Sequence, residues 1–135
     1  MEESLIAKAV ERKASGRYNC AQAVACTYAQ RIGADELTLM NAAQAFGAGM
    51  GGMQGTCGAL VGAGLAIGMK TKSRPEAMKA MKRMVEKFQQ RNGCTICREL
   101  KGIDTRVVVR QCNDCVADAA EFLEDELRLL AEANG

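Results

Sequence analysis

Seven cysteines in a chain of 135 residues, with no histidine at all, set the chemistry open to this protein. Without an imidazole there is no His-based triad, no His-ligated zinc protease site, no Rieske centre and no His-ligated haem. Thiols remain, and a thiolate is both a nucleophile and a ligand for soft or borderline metals. Their positions single out candidates. Cys20 follows Asn19, Cys57 follows Thr56, and Cys112 opens a long amphipathic run, so each falls where a helix is expected to begin. Free N–H groups and the positive end of the helix dipole stabilise a thiolate there, lowering its pKa from about 8.5. Cys97 lies in a short segment before the last helix. One such cysteine alone reads as a small core residue. Several at helix starts in so short a chain point to function.

Two further patterns compete. Cys94-Thr95-Ile96-Cys97 and Cys112-Asn113-Asp114-Cys115 are C-x-x-C pairs separated by 14 residues. Positions three apart share a helix face, so Cys94, Cys97, Cys112 and Cys115 could hold one zinc ion. Against this, the pairs enclose Thr-Ile and Asn-Asp, without the turn glycines and aromatics usual in zinc knuckles. Gly47-Ala48-Gly49-Met50-Gly51-Gly52 fits G-x-G-x-x-G, yet it follows a helical stretch rather than a strand. No βαβ unit surrounds it, so no nucleotide site is expected.

The elements that must position these residues read as helices. Leu5, Ile6, Ala9 and Val10 place a first helix within residues 3–14, stopping at Ser15-Gly16. Asn19 caps a second, expected to run from Cys20 to about Ile32, and Asp35 caps a third that continues to Phe46. Five glycines within positions 47–55 then make a loop that bends sharply or approaches something closely. Thr56 caps a fourth helix from Cys57 to about Met69, where Gly58, Gly62, Gly64 and Gly68 imply close backbone packing. Gly51, Gly52, Gly55 and Gly58 are the candidates for bringing backbone N–H groups against a bound group. Pro75 opens a fifth helix that ends at Asn92-Gly93. Cys94–Leu100 makes a short helix, and Cys112 to Ala133 the last. Residues 101–111 give no clear pattern. The expectation is an all-α protein: a single domain over residues 1–135, a compact helical bundle with a Gly-rich loop before a Gly-spaced central helix.

Composition narrows the partners. A formal charge of +2, no tryptophan and 4% aromatics argue against nucleic acid. The start, Met1-Glu2-Glu3-Ser4-Leu5, lacks the basic and apolar regions of a signal peptide. The longest apolar run, Cys57 to Met69, is 13 residues, too short for membrane insertion. A cytoplasmic protein is expected, where thiols stay reduced and clusters of them suggest metal or redox chemistry. Charge is uneven: eight basic and two acidic residues from Lys70 to Arg91, six acidic and one basic from Asp118 to Glu132. Solvated faces are the simpler reading; facing helices, within the chain or across a homodimer, are the sharper one. Met78, Met81 and Met84 read as core or as a dimer seam.

Tyr18-Asn19-Cys20-Ala21-Gln22-Ala23-Val24, the run from Gly49 to Ala63 that holds Gly55-Thr56-Cys57-Gly58-Ala59-Leu60-Val61-Gly62, then Cys97-Arg98-Glu99-Leu100, then Cys112, occur in a specific order. This four-part order, from about Tyr18 to Leu130, resembles the family of redox-active proteins labelled by a C…GCAxxG…C…C pattern. The label reads Gly-Cys-Ala where this chain has Cys57-Gly58-Ala59. Similar domains occur in split-Soret cytochromes, whose comparable cysteines hold an iron–sulfur centre beside haem. The resemblance makes Cys20, Cys57, Cys97 and Cys112 the four defining cysteines, with Cys26, Cys94 and Cys115 additional. It implies a redox-active protein in which the four hold an iron–sulfur cluster and exchange electrons with a redox partner protein. No C-x-x-C-H is present, so no haem is expected. Two alternatives stay open: metal-free thiol–disulfide chemistry by the same cysteines, and a non-catalytic helical module held by zinc on Cys94, Cys97, Cys112 and Cys115.

Overall fold

The computed structural model describes residues 2–134, and among them the regular elements are all helical. They are α1 (Ile6–Ala14), α2 (Cys20–Thr27), α3 (Ala29–Ile32), α4 (Glu36–Ala42), α5 (Gly58–Thr71), α6 (Arg74–Asn92), α7 (Cys97–Leu100) and α8 (Cys112–Asn134). The all-α expectation holds. None of these helices is long and apolar enough to cross a membrane.

The centre of the bundle is α2, whose eight residues are all buried. Its side chains are small, so neighbouring backbones come close. A Cβ added at Gly62 of α5 would lie 2.4 Å from the Ala21 carbonyl oxygen, and one at Gly58 would lie 2.6 Å from that of Phe46. Glycine's helix-propensity penalty is therefore offset by direct contact between the two helices. α8 packs against α1, α5 and α6, and contributes Val116, Ala119, Ala120 and Leu123 to the core.

The uneven charge resolves within the chain. Glu126 of α8 is fully buried and receives three hydrogen bonds from Arg83 of α6, at 2.7, 3.0 and 3.2 Å. Arg91 pairs with Asp118 and Glu121 at 2.9 Å each, and Lys87 with Asp125 at 3.4 Å. The basic and acidic helices thus face each other as an intramolecular seam. Of the methionine stripe, Met84 is core, Met81 is half-buried and Met78 is exposed.

Several boundaries differ from the sequence expectation, each for a local reason. The second helix breaks at Tyr28 because the Thr27 hydroxyl donates to the Ala23 carbonyl at 2.6 Å, a back-bond that bends helices. α4 ends at Ala42 rather than Phe46, since Asn19 Nδ2 donates to the carbonyls of Ala43 and Gln44. α5 starts at Gly58, with Cys57 as its cap in place of Thr56. α7 begins only at Cys97, because the residues before it are extended: Thr56 and Ile96 form an isolated antiparallel bridge.

Candidate functional site

Each defining cysteine is set by its own helix start. At α2, Asn19 Oδ1 accepts from the Gln22 N–H at 2.8 Å while Gln22 Oε1 accepts from the Asn19 N–H at 2.9 Å. This reciprocal cap fixes Cys20 in the first turn. The same two side chains donate to the Ala43 and Met40 carbonyls at 3.0 Å, tying that turn to α4. Cys57 and Cys97 are brought together by the short extended pairing. The Cys57 N–H donates to the Thr95 carbonyl at 2.7 Å, and the Cys97 N–H to Gly55 at 3.0 Å. The Arg98 N–H continues the pairing by donating to Met53 at 2.8 Å. Residues 101–111 then loop back, with the Val109 and Arg110 N–H groups both donating to the Leu100 carbonyl, and deliver Cys112 to the start of α8. Arg110 is anchored on Asp118 by hydrogen bonds of 3.0 and 2.9 Å.

The result is one cavity lined by Cys20, Cys57, Cys97, Cys112 and Cys115, closed by Ala48, Gly49, Gly58 and Leu100, with Lys101 and Arg110 beside it. Its volume, about 10 Å³, is that of a single water. Cys20, Cys57, Cys97 and Cys115 are buried and Cys112 is half-buried, and all are free thiols. Cys94 and Cys26 lie elsewhere. Cys94 Sγ sits 4.0 Å from the Asn92 carbonyl oxygen, and Cys26 is buried with its Sγ 3.8 Å from that of Glu36. Among the described residues, no three cysteine, aspartate or glutamate side chains are grouped so as to hold one metal ion.

The five sulfurs are not equivalent. Cys112 accepts a hydrogen bond from the Cys20 thiol, and with the nearby Lys101 and Lys13 charges this overcomes burial and brings its pKa down to about 5. Cys57 accepts from the Cys115 thiol, and the Ala59 and Leu60 N–H groups at the start of α5 add to that bond, so its pKa also falls. The donors shift the other way: hydrogen bonding and burial raise Cys20 and Cys115 far above the ordinary thiol range. Burial raises Cys97, opposed in part by Lys101. Contact between neighbouring thiols thus sets Cys112 and Cys57 below the ordinary thiol range and Cys20 and Cys115 above it.

The candidate glycines divide. Gly58 lines the cavity. Gly55 packs beneath it, since an added Cβ there would lie 2.9 Å from the Gly49 carbonyl oxygen. Gly51 and Gly52 face open space, with nothing within 4 Å of such a Cβ. Gly49, which sequence reasoning did not single out, is the glycine that matters most: its φ is +58°, and an added Cβ would meet Cys97 Cβ at 2.5 Å. Lys101 and Arg110 were also missed. Nothing in the local sequence marks either one, because their place at the cavity depends on the path of the 101–111 loop.

Against this geometry, residues 18–126 match the family model described as "Putative redox-active protein (C_GCAxxG_C_C)". The chain belongs to this family. The match takes in all five cysteines of the cavity, and the redox-active character that the family description carries agrees with a site built wholly of thiols. No curated protein and no solved structure matches the chain.

Proposed function

We propose that this family member carries electrons through an iron–sulfur cluster held by Cys20, Cys57, Cys97 and Cys112. The observation that carries this reading is that these four cysteines, from the starts of four separate helices, line one cavity, although as they stand no three of their side chains are placed to share one ion. The donor set suits the group: its protein ligands are thiolates, and no carboxylate lines the cavity. A cavity of one water's volume would have to widen for the group to enter. When bound, a cluster supplies one-electron transfer without proton chemistry of its own.

The chain's residues do the rest. Cys57 and Cys112, whose pKa values are lowered, would be the first of the four to ionise, and Cys20 and Cys97 would give up their protons on binding. Lys101 and Arg110 offset the accumulated negative charge, and the Ala59 and Leu60 N–H groups donate to the Cys57 sulfur. Cys115 stays protonated as a donor to Cys57. Ala48 and Leu100 limit water. Anaerobic expression and purification tests the reading. Iron and acid-labile sulfide in stoichiometric amounts, with visible colour, are expected, and both should be lost in Cys57→Ser and Cys97→Ser. A colourless, iron-free protein after anaerobic reconstitution with iron and sulfide would overturn it.

A second reading rests on the two contacting pairs, Cys20 with Cys112 and Cys57 with Cys115. Here the low-pKa thiolate attacks an acceptor disulfide and the neighbouring thiol resolves the mixed disulfide. Two protein thiols lose two electrons and two protons to form one disulfide, and the acceptor leaves as two thiols. Mild oxidation should then give a Cys20–Cys112 or Cys57–Cys115 linkage by peptide mapping, and scrambled products would exclude this route. The zinc module gains no comparable support, because Cys94 lies off the cavity.

A further inference from the structure

The loop that closes the thiol cavity also walls a second depression on the other side. It is an open groove of about 570 Å³ between α5 and α6, lined by Met50, Val61, Leu65, Met69, Met81 and Val85. Three of its ten lining residues are methionines, and Met50 and Met69 are exposed. Flexible, polarisable side chains of this kind adapt to an incoming apolar surface. Gly68 lies among the lining residues with nothing within 4 Å of an added Cβ, leaving room for close backbone approach, whereas Gly64 is covered by the Met81 thioether.

Charge around the groove selects the occupant. Lys70 and Lys72 end α5, and Arg74, Lys79 and Lys82 lie on the first half of α6; all five are exposed. Among the described residues none of them forms an ion pair, whereas Arg83, Lys87 and Arg91 are committed to α8. Only Glu76 and Glu86 oppose them on α6. Two copies of the chain meeting across this groove would bring the basic rims together, which disfavours a symmetric dimer here.

We propose that the groove between α5 and α6 docks an amphipathic helix of a partner protein, with its apolar stripe in the groove and acidic residues against the lysines. Helix-in-groove recognition uses this arrangement of apolar anchors and flanking charge. Thr56 lines the groove and Cys57 the cavity, so the docked helix lies one residue's breadth of loop from the thiols. The docking surface stands on the groove and its rim, whatever the cavity holds.

The test is fluorescence anisotropy of the reduced full chain with a labelled model helix carrying leucine on one face and glutamate elsewhere. Saturable binding is expected, weakening steeply with added salt and by about tenfold or more in Leu65→Glu. The exposed pair Lys70→Glu/Lys82→Glu, beside the lining Met69 and Met81, should weaken binding comparably while leaving the circular dichroism spectrum unchanged. The same peptide with lysine in place of glutamate should not bind. Absence of binding, equal binding of the lysine peptide, or indifference to the Lys70→Glu/Lys82→Glu change would overturn the proposal. So would a self-associating chain dispersed by Met81→Glu, or binding only to phosphatidylserine vesicles, since each assigns the groove a different occupant.

Discussion

The α6–α8 seam and the thiol cavity both place acidic groups in the interior, and they neutralise them by opposite means. At the seam, Glu126 and Asp118 are almost fully buried and meet guanidinium groups of Arg83, Arg91 and Arg110 in fixed geometry. At the cavity, the neighbouring Cys115 and Cys20 thiols ease the ionisation of Cys57 and Cys112, and Lys101 and Lys13 also favour the Cys112 thiolate. A guanidinium stays charged and in place at any ordinary pH. A thiol proton can be displaced by a metal or removed with an electron pair. One arrangement holds the fold together; the other leaves charge compensation open to exchange, which is what a redox site needs.

Breaking the seam should cost the most. Arg83→Ala leaves Glu126 buried without its partner and is expected to destabilise the protein by about 3 kcal/mol, read by urea unfolding. Breaking a thiol pair should barely affect folding but change reactivity. Cys20→Ala removes the hydrogen bond that holds Cys112 near 5, so the pH midpoint of Cys112 alkylation should rise by about one unit or more. If the midpoint stays, the Cys20 thiol is not what stabilises that thiolate.

The acid limb sharpens the contrast. Burial pushes the Asp118 carboxyl up, but hydrogen bonds from Arg110, Arg91 and Asn92 outweigh it and hold the pKa below the ordinary 3.8. The unfolded chain therefore binds this proton first. Asp118 contributes stability fully above that value and loses it as pH falls through the lower, folded pKa. Asp118→Asn should flatten the pH dependence of stability in this acid range, read by urea unfolding at a series of pH values. The smallest effect is expected for Lys101→Met, which removes one of several groups lowering Cys112. Its alkylation midpoint should rise by only a fraction of a unit, about half at most.

Much of the fold is written locally. Asn19 with Gln22, Asp35, Ser73 with Pro75, and Gly93 all mark helix ends where the chain places them. The cysteine spacing, together with the family pattern, pointed to four sulfurs that the structure sets around one cavity. What escaped was long-range. The pairing of Thr56 with Ile96 joins residues forty positions apart and has no strand-like periodicity to announce it. Gly49 looks no different from Gly51 in the string, yet one touches Cys97 and the other faces open space. Cys115 looked like half of a zinc motif with Cys112 alone, whereas it lines the cavity beside Cys57 with its Sγ 4.0 Å from the Arg110 carbonyl oxygen. The charge on α6 and α8 read most simply as solvated faces, and the ion pairs instead join the two helices within the chain.

Thiol footprinting by mass spectrometry, before and after anaerobic loading with iron and sulfide, tests the central claim most directly. Loading should protect Cys20, Cys57, Cys97 and Cys112 from alkylation together, while the half-buried Cys94 stays as reactive as before. Protection of Cys94 with Cys97, Cys112 and Cys115, or unchanged labelling of all four defining cysteines, would contradict it.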